Sequence, residues 1–308
     1  MSTATGTATD YGDLLNKLRT FLTTDTTLVG LGQNWTELGT NAVSYTWAGN
    51  LNTNTTDFET YLKAPGLSGS DPVYINIRLY KNVTADYYNW ECRGALGYNA
   101  SFGFAAQPGT SPGEWVPMWN QPIQYWFVAN GQRAIVITKI SSSYEILYAG
   151  KFLPYGTPGQ YPYPVAIGGM LNTSDLRFSD NSANHAAFFN PINLQACYVD
   201  SSWQTFNNSG STRNIWPHGA ANGSPAWLQP GLDGTYPLLP CRLEMGTASA
   251  TAQAAAPAAI LGEFDGVAIP SGVSNSSEST ITVGASTYTV FQNAFRTAAD
   301  AYCAIQTA

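Results

Sequence analysis

The chain has 308 residues, a length that can bury a substantial core in one large domain or two smaller ones. Charged residues make up only 11% of the sequence and aromatic residues 13%, which excludes the highly charged, aromatic-poor composition of a disordered protein. The formal net charge of −7 comes without any Lys/Arg cluster, so no nucleic-acid partner is expected.

The N-terminal part predicts a polar arm followed by an amphipathic helix. The first ten residues are small and polar, and they are expected to fray unless a neighbouring element holds them. Asp10 or Asp13 is a suitable N-cap for the helix. Its apolar face follows the i, i+1, i+4, i+7, i+8 spacing of one helix side, formed by Leu14, Leu15, Leu18, Phe21 and Leu22.

Two further helical turns are expected before the pattern changes, one from Asp25 to Leu31 and one at Asp57–Lys63. Residues 1–65 are therefore interpreted as an N-terminal arm and helical segment. Residues 66–308 are interpreted as a β-rich domain that contains a loop-rich insertion at about 170–240. No transmembrane span is expected, because no stretch approaches the roughly 18 apolar residues that crossing requires. The N-terminus lacks the basic and apolar regions of a secretory signal, so synthesis and folding in the cytoplasm are expected.

Strand signals begin at Val73, where apolar and polar residues alternate strictly as far as Tyr80. The segments 84–98 and 101–106 predict a further strand pair. Asn130-Gly131 is typical of a two-residue type I′ turn, and it predicts a hairpin between 126–129 and 132–140. Ser141-Ser142-Ser143 then breaks the chain before a third strand at 144–152, which completes a β-meander.

The C-terminal part also reads as β structure. Residues 260–270 predict a strand, 279–295 a hairpin with Gly284 in its turn, and 296–306 a strand that returns to the core. The predicted fold class is therefore mainly β, within α+β. It consists of an antiparallel β-meander or sandwich core with an N-terminal amphipathic helix and long ordered loops.

No sequence motif has the residue types and spacing that a catalytic site requires. The sequence Gly109-Thr110-Ser111-Pro112-Gly113 matches G-x-S-x-G, but the residue after the serine is a proline and has no N–H for an oxyanion hole. His185 and His218 lack the spacing of a metal site. The candidate carboxylates for glycoside hydrolysis are Glu91, Glu114, Asp200, Glu244 and Asp265, whose separations are spatial and not readable from sequence. No catalytic residue, metal or cofactor is therefore assigned, and no enzyme activity is expected.

The cysteines and the loop aromatics complete the candidate residues. Cys92, Cys197, Cys241 and Cys303 lie far apart without paired spacing, which favours buried free thiols. The loop-rich regions are unusually rich in aromatic residues that can stack on a sugar or a protein partner. Those selected as candidate binding residues are Trp203, Trp216, Trp227, Tyr161 and Tyr163. The alternative interpretation is that such residues fill the gaps between long loops and the sheet.

Three stretches carry a resemblance to a known group. They are YINIRLYKNVTADYYNWECRGALGY, YWFVANGQRAIVITKISSSYEILYAGKFLPYGTPGQYPYPVAIGG and the C-terminal LGEFDGVAIPSGVSNSSESTITVGASTYTVFQNAFRTAADAYCAI. They resemble virion structural proteins from the late modules of tailed bacteriophages, and the amphipathic start LLNKLRTFLTTDTTLVGLGQNWTEL is similar to N-termini of the same group.

The resemblance implies a structural component of the virion, made in the host cytoplasm and acting by protein–protein contacts. A tail position at the baseplate or neck is favoured. The implied partners are tail tube, sheath, baseplate or neck subunits and copies of the chain itself. The alternatives are a capsid decoration protein, a receptor-binding or carbohydrate-binding tail component that contacts a host surface glycan, and a hydrolase of host envelope or capsule.

Overall fold

The structure is a computed structural model of the chain. It describes residues 1–40, 56–69, 71–82, 84–156, 163–171, 177–180, 194–197, 202–206, 213–216, 230–232, 234–246, 257–292 and 302–308. These residues form a mainly β fold in which every strand pair is antiparallel, with one long helix near the N-terminus, and the predicted fold class is confirmed.

The smaller of the two sheets has five strands within the described ranges. They are β2 (Thr36–Thr40), β3 (Thr56–Ala64), β4 (Val73–Asn82), β5 (Tyr87–Ala95) and β6 (Glu114–Met118). They lie side by side in chain order, β2-β3-β4-β5-β6. The alternation predicted in β4 is confirmed, because Val73, Ile75, Ile77 and Leu79 are all buried in the core.

The larger sheet has 13 strands in the part of the chain that the structure describes. They are β1 (Ser2–Ala8), β7 (Ile123–Ala129), β8 (Arg133–Ile140), β9 (Ser143–Pro154), β10 (Val165–Gly168), β11 (Leu194–Cys197), β12 (Trp203–Phe206), β13 (Arg213–Trp216), β14 (Leu239–Gly246), β15 (Pro257–Ile269), β16 (Thr280–Val283), β17 (Ser286–Gln292) and β18 (Tyr302–Gln306). The main path is β1-β7-β8-β9-β15-β18-β17-β16, with β10, β11 and β12 branching from β9 and with β14 and β13 branching from β15.

The helices are α1 (Tyr11–Thr24) and α2 (Thr26–Gly30), and a 3₁₀ turn occupies Phe104–Ala106. Asp10 is the N-cap of α1, and its Oδ1 accepts the N–H groups of Gly12 and Asp13, each at 2.8 Å. The predicted apolar face of α1 is buried. It packs against β1 and β7 and joins the core shared by both sheets.

Two buried indoles join α1 and its C-terminal connection to the sheets. Trp90 of β5 donates from Nε1 to the carbonyl of Tyr11 at 2.9 Å. Trp35 donates from Nε1 to the carbonyl of Asn130 at 2.9 Å, at the turn between β7 and β8. These bonds satisfy polar groups that would otherwise cost free energy inside the sandwich, and they fix its two layers to the helix.

The N-terminal arm does not fray, because a neighbouring element holds it. Residues Ser2–Ala8 form β1 and pair with β7, from Ser2 opposite Ala129 to Ala8 opposite Ile123. The sequence analysis allowed for a neighbouring element that holds the arm, but no sequence feature identified that element as β7. Ala8 is fully buried and anchors the end of the strand that leads into α1.

Two local predictions are wrong. The helical turn predicted at Asp57–Lys63 is part of β3, because pairing along β4 places Phe58, Leu62 and Ala64 in the core, and a segment of two turns is too short for a stable helix. The strand predicted at residues 101–106 is a turn followed by a 3₁₀ turn. There the Gln107 side chain donates from Nε2 to the carbonyl of Phe102 at 2.7 Å and closes the loop.

The predicted β-meander is confirmed, but its first turn is not type I′. Neither Asn130 nor Gly131 has a positive φ, and the two loop residues are Gly131 and Gln132. Asn130 instead uses its side chain, whose Oδ1 accepts the N–H groups of Gln132 at 2.9 Å and Arg133 at 3.0 Å. The second break is confirmed at Ser141, which has a φ of 57°.

The C-terminal predictions are confirmed for the described residues, and residues 293–301 of the predicted hairpin and returning strand lie outside them. β15 is the predicted strand, β16 and β17 form the hairpin, and β18 returns to pair with β15 and β17. Gly284 lies in the hairpin turn with a φ of 60°, a conformation that glycine adopts without steric cost.

In the predicted loop-rich insertion the described residues include three short strands, β11, β12 and β13. The predicted boundary near residue 65 lies in the connection between the paired strands β3 and β4.

Candidate functional site

The main strand path of the larger sheet ends in two open edges among the described residues. At one end β1 pairs only with β7, and at the other end β16 pairs only with β17. The outward side of each strand therefore presents backbone donors and acceptors that suit the addition of another strand. The open side of Ser2–Ala8 is called the β1 edge below, and it is the longer of the two.

The β1 edge lacks the features that commonly block strand addition. It contains no charged residue and no proline, and its pairing with β7 runs without a bulge. Thr3, Thr5 and Thr7 are exposed on one face, whereas Ala4 and Gly6 between them are half-buried and Ala4 packs against the core. The edge is thus a neutral strand of seven residues without a bulge.

Both ends of β1 are fixed to the rest of the molecule. At the start, the buried Arg133 guanidinium donates from Nη2 to Sδ of Met1 at 3.4 Å. After the strand, the N–H of Thr9 donates to Oδ2 of Asp13 at 2.9 Å, and the N–H of Tyr11 donates to the carbonyl of Trp119 at 3.1 Å. The edge is consequently held in place before any partner arrives.

A groove lies beside β1 on the face covered by α1. It has a volume of about 440 Å³ and is lined by Asp13, Asn16, Lys17, Thr20, Phe21, Thr24, Asp25 and Tyr125. The Tyr125 ring reaches from β7 over Gly6, where a Cβ would lie 2.7 Å from the Tyr125 Oη. The same ring stacks on Phe127 with centroids 4.1 Å apart, which fixes its position at the border between groove and edge.

The predicted binding aromatics that the structure describes lie on different elements. Trp203 lies in β12, where it donates from Nε1 to the carbonyl of Gly109 at 2.7 Å and packs its ring on the backbone of Gly94. This supports the gap-filling interpretation for that residue. Trp216 lies in β13 opposite Arg242, while Trp227 and Tyr161 lie outside the described residues.

Tyr163 borders a cleft of about 350 Å³, called the Tyr163 cleft below. The ring is 41% exposed. The other lining residues are Asp71, Pro72, Tyr74, Leu96, Lys151 and Val165. Lys151 and Asp71 form an ion pair at its wall. The cleft therefore combines two aromatic rings with charged hydrogen-bonding groups, a combination that suits a polar ring such as a sugar.

A cluster of charges lies on the outer face of the smaller sheet. Glu91 is fully buried and accepts two hydrogen bonds of 2.6 Å, from Nε of Arg78 and Nε of Arg93. The Phe104 ring lies under both guanidiniums, with the Arg78 Cζ 4.6 Å and the Arg93 Cζ 5.9 Å from its centroid. Arg93 also donates to the carbonyl of Ser111 at 2.9 Å. The cluster therefore anchors the loop between β5 and β6.

The candidate carboxylates are separated and have different partners. Glu91 points away from Glu114, because Glu114 pairs opposite Cys92 and lies on the core side of β6. Glu114 accepts from Nε2 of Gln195 at 2.9 Å, and burial raises the pKa of its carboxyl well above the usual range. Asp265 belongs to a cluster around Arg133.

The remaining candidates do not join these carboxylates. Burial also raises the pKa of Glu244, and Asp200 lies outside the described residues. Ser111 of the G-x-S-x-G sequence is held by the backbone. Its hydroxyl accepts from the N–H of Gly94 at 3.0 Å and donates to the carbonyl of Pro112 at 2.7 Å.

His185 and His218 also lie outside the described residues, and no group of three or more metal-ligating side chains occurs within them. No helix in the described ranges is long and apolar enough to span a membrane. No protein-family model matches the chain, and no curated protein matches its sequence.

Proposed function

We propose that the chain is a structural component of a tailed-bacteriophage particle, namely a tail-associated assembly protein of the baseplate or neck. The observation that carries the proposal is the β1 edge, a seven-residue strand fixed at both ends and without charge or proline. An open edge of this kind binds by main-chain hydrogen bonds to a strand of a neighbouring subunit. The assignment to a phage particle rests on the sequence resemblance to virion structural proteins.

The low content of charged residues supports the same proposal. Surfaces rich in Thr, Ser, Asn and Gly meet one another without the desolvation cost of buried charges, and only 11% of the residues are charged. The fully buried Glu91 is paired with Arg78 and Arg93 within the chain. Contacts between subunits therefore depend on backbone and hydroxyl groups.

The test is gold labelling of intact virions with an antibody to this chain, viewed by electron microscopy. Label confined to the tail or to its junction with the head supports the proposed function. Label over the whole head assigns the chain to capsid decoration instead. Purified particles that carry no label, while disrupted particles also lack the chain on immunoblots, overturn the proposal. Antibody absorbed with the purified chain is the control.

A second candidate function is binding of a host surface glycan in the Tyr163 cleft, favoured by the exposed Tyr163 ring beside Tyr74 and Lys151. The test is binding of the purified chain to host polysaccharide, with Tyr163→Ala as the variant. Tyr155→Ala is the matched control, because Tyr155 is also exposed but bonds to Glu263 at 2.7 Å outside the cleft. Selective loss with Tyr163→Ala supports glycan binding, and equal binding by all three proteins removes it.

A further inference from the structure

We infer that β1 pairs antiparallel with β1 of a second copy of the chain, about a two-fold axis at Thr5, so that two larger sheets join into one. This inference rests on the proposed function, in which copies of the chain contact one another. It identifies the surface they use and the register of the contact. The residues that carry it are Ser2–Ala8 and the Tyr125 ring beside them.

The sequence of β1 is complementary to itself in this register. A two-fold axis at Thr5 places Thr5 opposite its own copy and Thr3 opposite Thr7. All three threonines are exposed on one face of the strand. The dimer therefore forms a ladder of Thr–Thr pairs, which are favourable neighbours across strands. No like charges meet, because β1 contains none.

The opposite face of β1 also favours a small partner strand. In the same register Ala4 of the second copy lies opposite Gly6, over which the Tyr125 ring extends. A methyl group fits beside that ring, whereas a large side chain on an incoming strand would meet it. The residues of β1 on this face are Ser2, Ala4, Gly6 and Ala8, so a second β1 supplies the small side chains that this position requires.

The edge at the other end of the sheet does not have these properties. β16 has four residues, and about a two-fold axis its exposed residues do not form a ladder of identical pairs, since Thr280 lies opposite Val283. An antiparallel ladder gains two hydrogen bonds with every second pair of residues added, so the longer edge gives the more stable contact. We therefore assign the contact to β1.

The experiment uses cysteine cross-linking of the full chain. Residues directly opposite in an antiparallel pair have Cα atoms about 4.5–5.5 Å apart, within the range of a disulfide. Thr5→Cys is expected to form a covalent dimer under mild oxidation. Thr3→Cys is the matched control, because its two copies lie about 13 Å apart along the strands in this register. The four native thiols are buried and do not compete.

A mixture tests the register itself. Thr3→Cys and Thr7→Cys each stay monomeric on non-reducing gels when oxidised alone, but the two proteins mixed are expected to cross-link. We expect at least ten-fold more covalent dimer from Thr5→Cys, and from the mixture, than from Thr3→Cys alone. Equal cross-linking by all variants, or none by any, overturns the inference, provided that circular dichroism shows each variant folded.

The same variants separate this inference from the proposed function. If gold label places the chain in the tail but Thr5→Cys in purified particles remains uncross-linked, the pairing of β1 is wrong and the proposed function stands. If Thr5→Cys cross-links in solution but particles lack the chain, the pairing stands and the proposed function fails. A strand of another protein on β1 gives the first of these results.

Discussion

Asp265 of β15 accepts a hydrogen bond from the buried guanidinium of Arg133 on β8, with Oδ2 and Nε 3.1 Å apart. Arg133 is 1% exposed. The same Oδ2 accepts from Nδ2 of Asn130 at 2.8 Å and from Nε2 of Gln132 at 3.2 Å. Because Arg133 also donates to Met1, this cluster connects the β7–β8 turn, β15 and the start of β1.

The first prediction concerns loss of the charge on Asp265. Asp265→Asn leaves the buried Arg133 cation without its counter-charge, so the free energy of unfolding is expected to fall by about 3–5 kcal/mol. Guanidinium denaturation measures this change. Hydrogen exchange of the β1 amides is expected to accelerate as well, because Arg133 holds Met1 at the start of that strand.

Glu278→Gln is the matched control for Asp265→Asn. Glu278 pairs with Lys139 at 2.5 Å, but both side chains are about one-third exposed, and a surface ion pair contributes about 0–1 kcal/mol. If the two variants lose equal stability, the Arg133 cluster is not the buried anchor described above.

The Arg133 cluster illustrates what the sequence allowed to be predicted. Asn130-Gly131 correctly indicated a hairpin, since turn residues act locally. The turn type was wrong, because the Asn130 side chain bonds to the N–H groups of Gln132 and Arg133 and to Asp265, 135 residues away. Contacts over such distances leave no periodic signal in the sequence.

The same reason limited the prediction of the candidate site. The strand β1 has no apolar alternation, and its partner β7 begins more than 110 residues later, so only its small polar character was visible. Tyr163 was selected as one of the loop aromatics, and it is exposed in the structure. The cleft beside it depends on Asp71 and Lys151 from other strands, which aromatic content did not indicate.

The second prediction concerns the pH dependence of stability at Glu114. Burial raises the pKa of this carboxyl in the folded protein, and Oε2 has no hydrogen-bond partner among the described residues. Because the folded pKa is raised, the protonated carboxyl favours the folded state. This contribution is fully present below the unfolded pKa of about 4.3. This stabilisation is lost as pH rises through the folded pKa.

Glu114→Gln removes that titration, because an amide of the same shape stays neutral. The variant is expected to unfold at higher denaturant concentration than the natural chain at pH 8, and to show a flatter dependence between pH 5 and 8. Glu278→Gln is expected to change stability in the opposite direction, because hydrogen bonds from Lys139 and Tyr144 lower the pKa of Glu278 and its charged form stabilises the fold. Parallel pH profiles for the natural chain and Glu114→Gln would contradict the prediction.

The third prediction compares two glycines that both have a positive φ. Gly150 in β9 has a φ of 144°, and a Cβ there would lie 2.4 Å from the Cα of Arg133. Gly150→Ala therefore combines backbone strain with a backbone clash, and a loss of about 2–5 kcal/mol is expected. Gly284 has no atom within 4 Å of such a Cβ, so Gly284→Ala is expected to lose only about 1 kcal/mol.

Thermal unfolding followed by circular dichroism measures both glycine variants under one set of conditions. The decisive quantity is the difference between them, because both substitutions introduce the same side chain at a positive φ. A Gly150→Ala protein as stable as Gly284→Ala would show that β9 moves away from Arg133 at little cost.

The fourth prediction concerns the cysteines, which are buried thiols outside any disulfide bond, as the sequence predicted. Burial raises the pKa of the Cys92, Cys241 and Cys303 thiols, so the reactive thiolate is scarce at neutral pH. An aromatic disulfide reagent is expected to label none of the four thiols within minutes in the native chain and all four in guanidinium. Because labelling requires opening of the core, Asp265→Asn is expected to accelerate it and Glu278→Gln to leave it nearly unchanged. Rapid labelling of one native thiol would show that its strand opens locally, and peptide mapping would identify that strand.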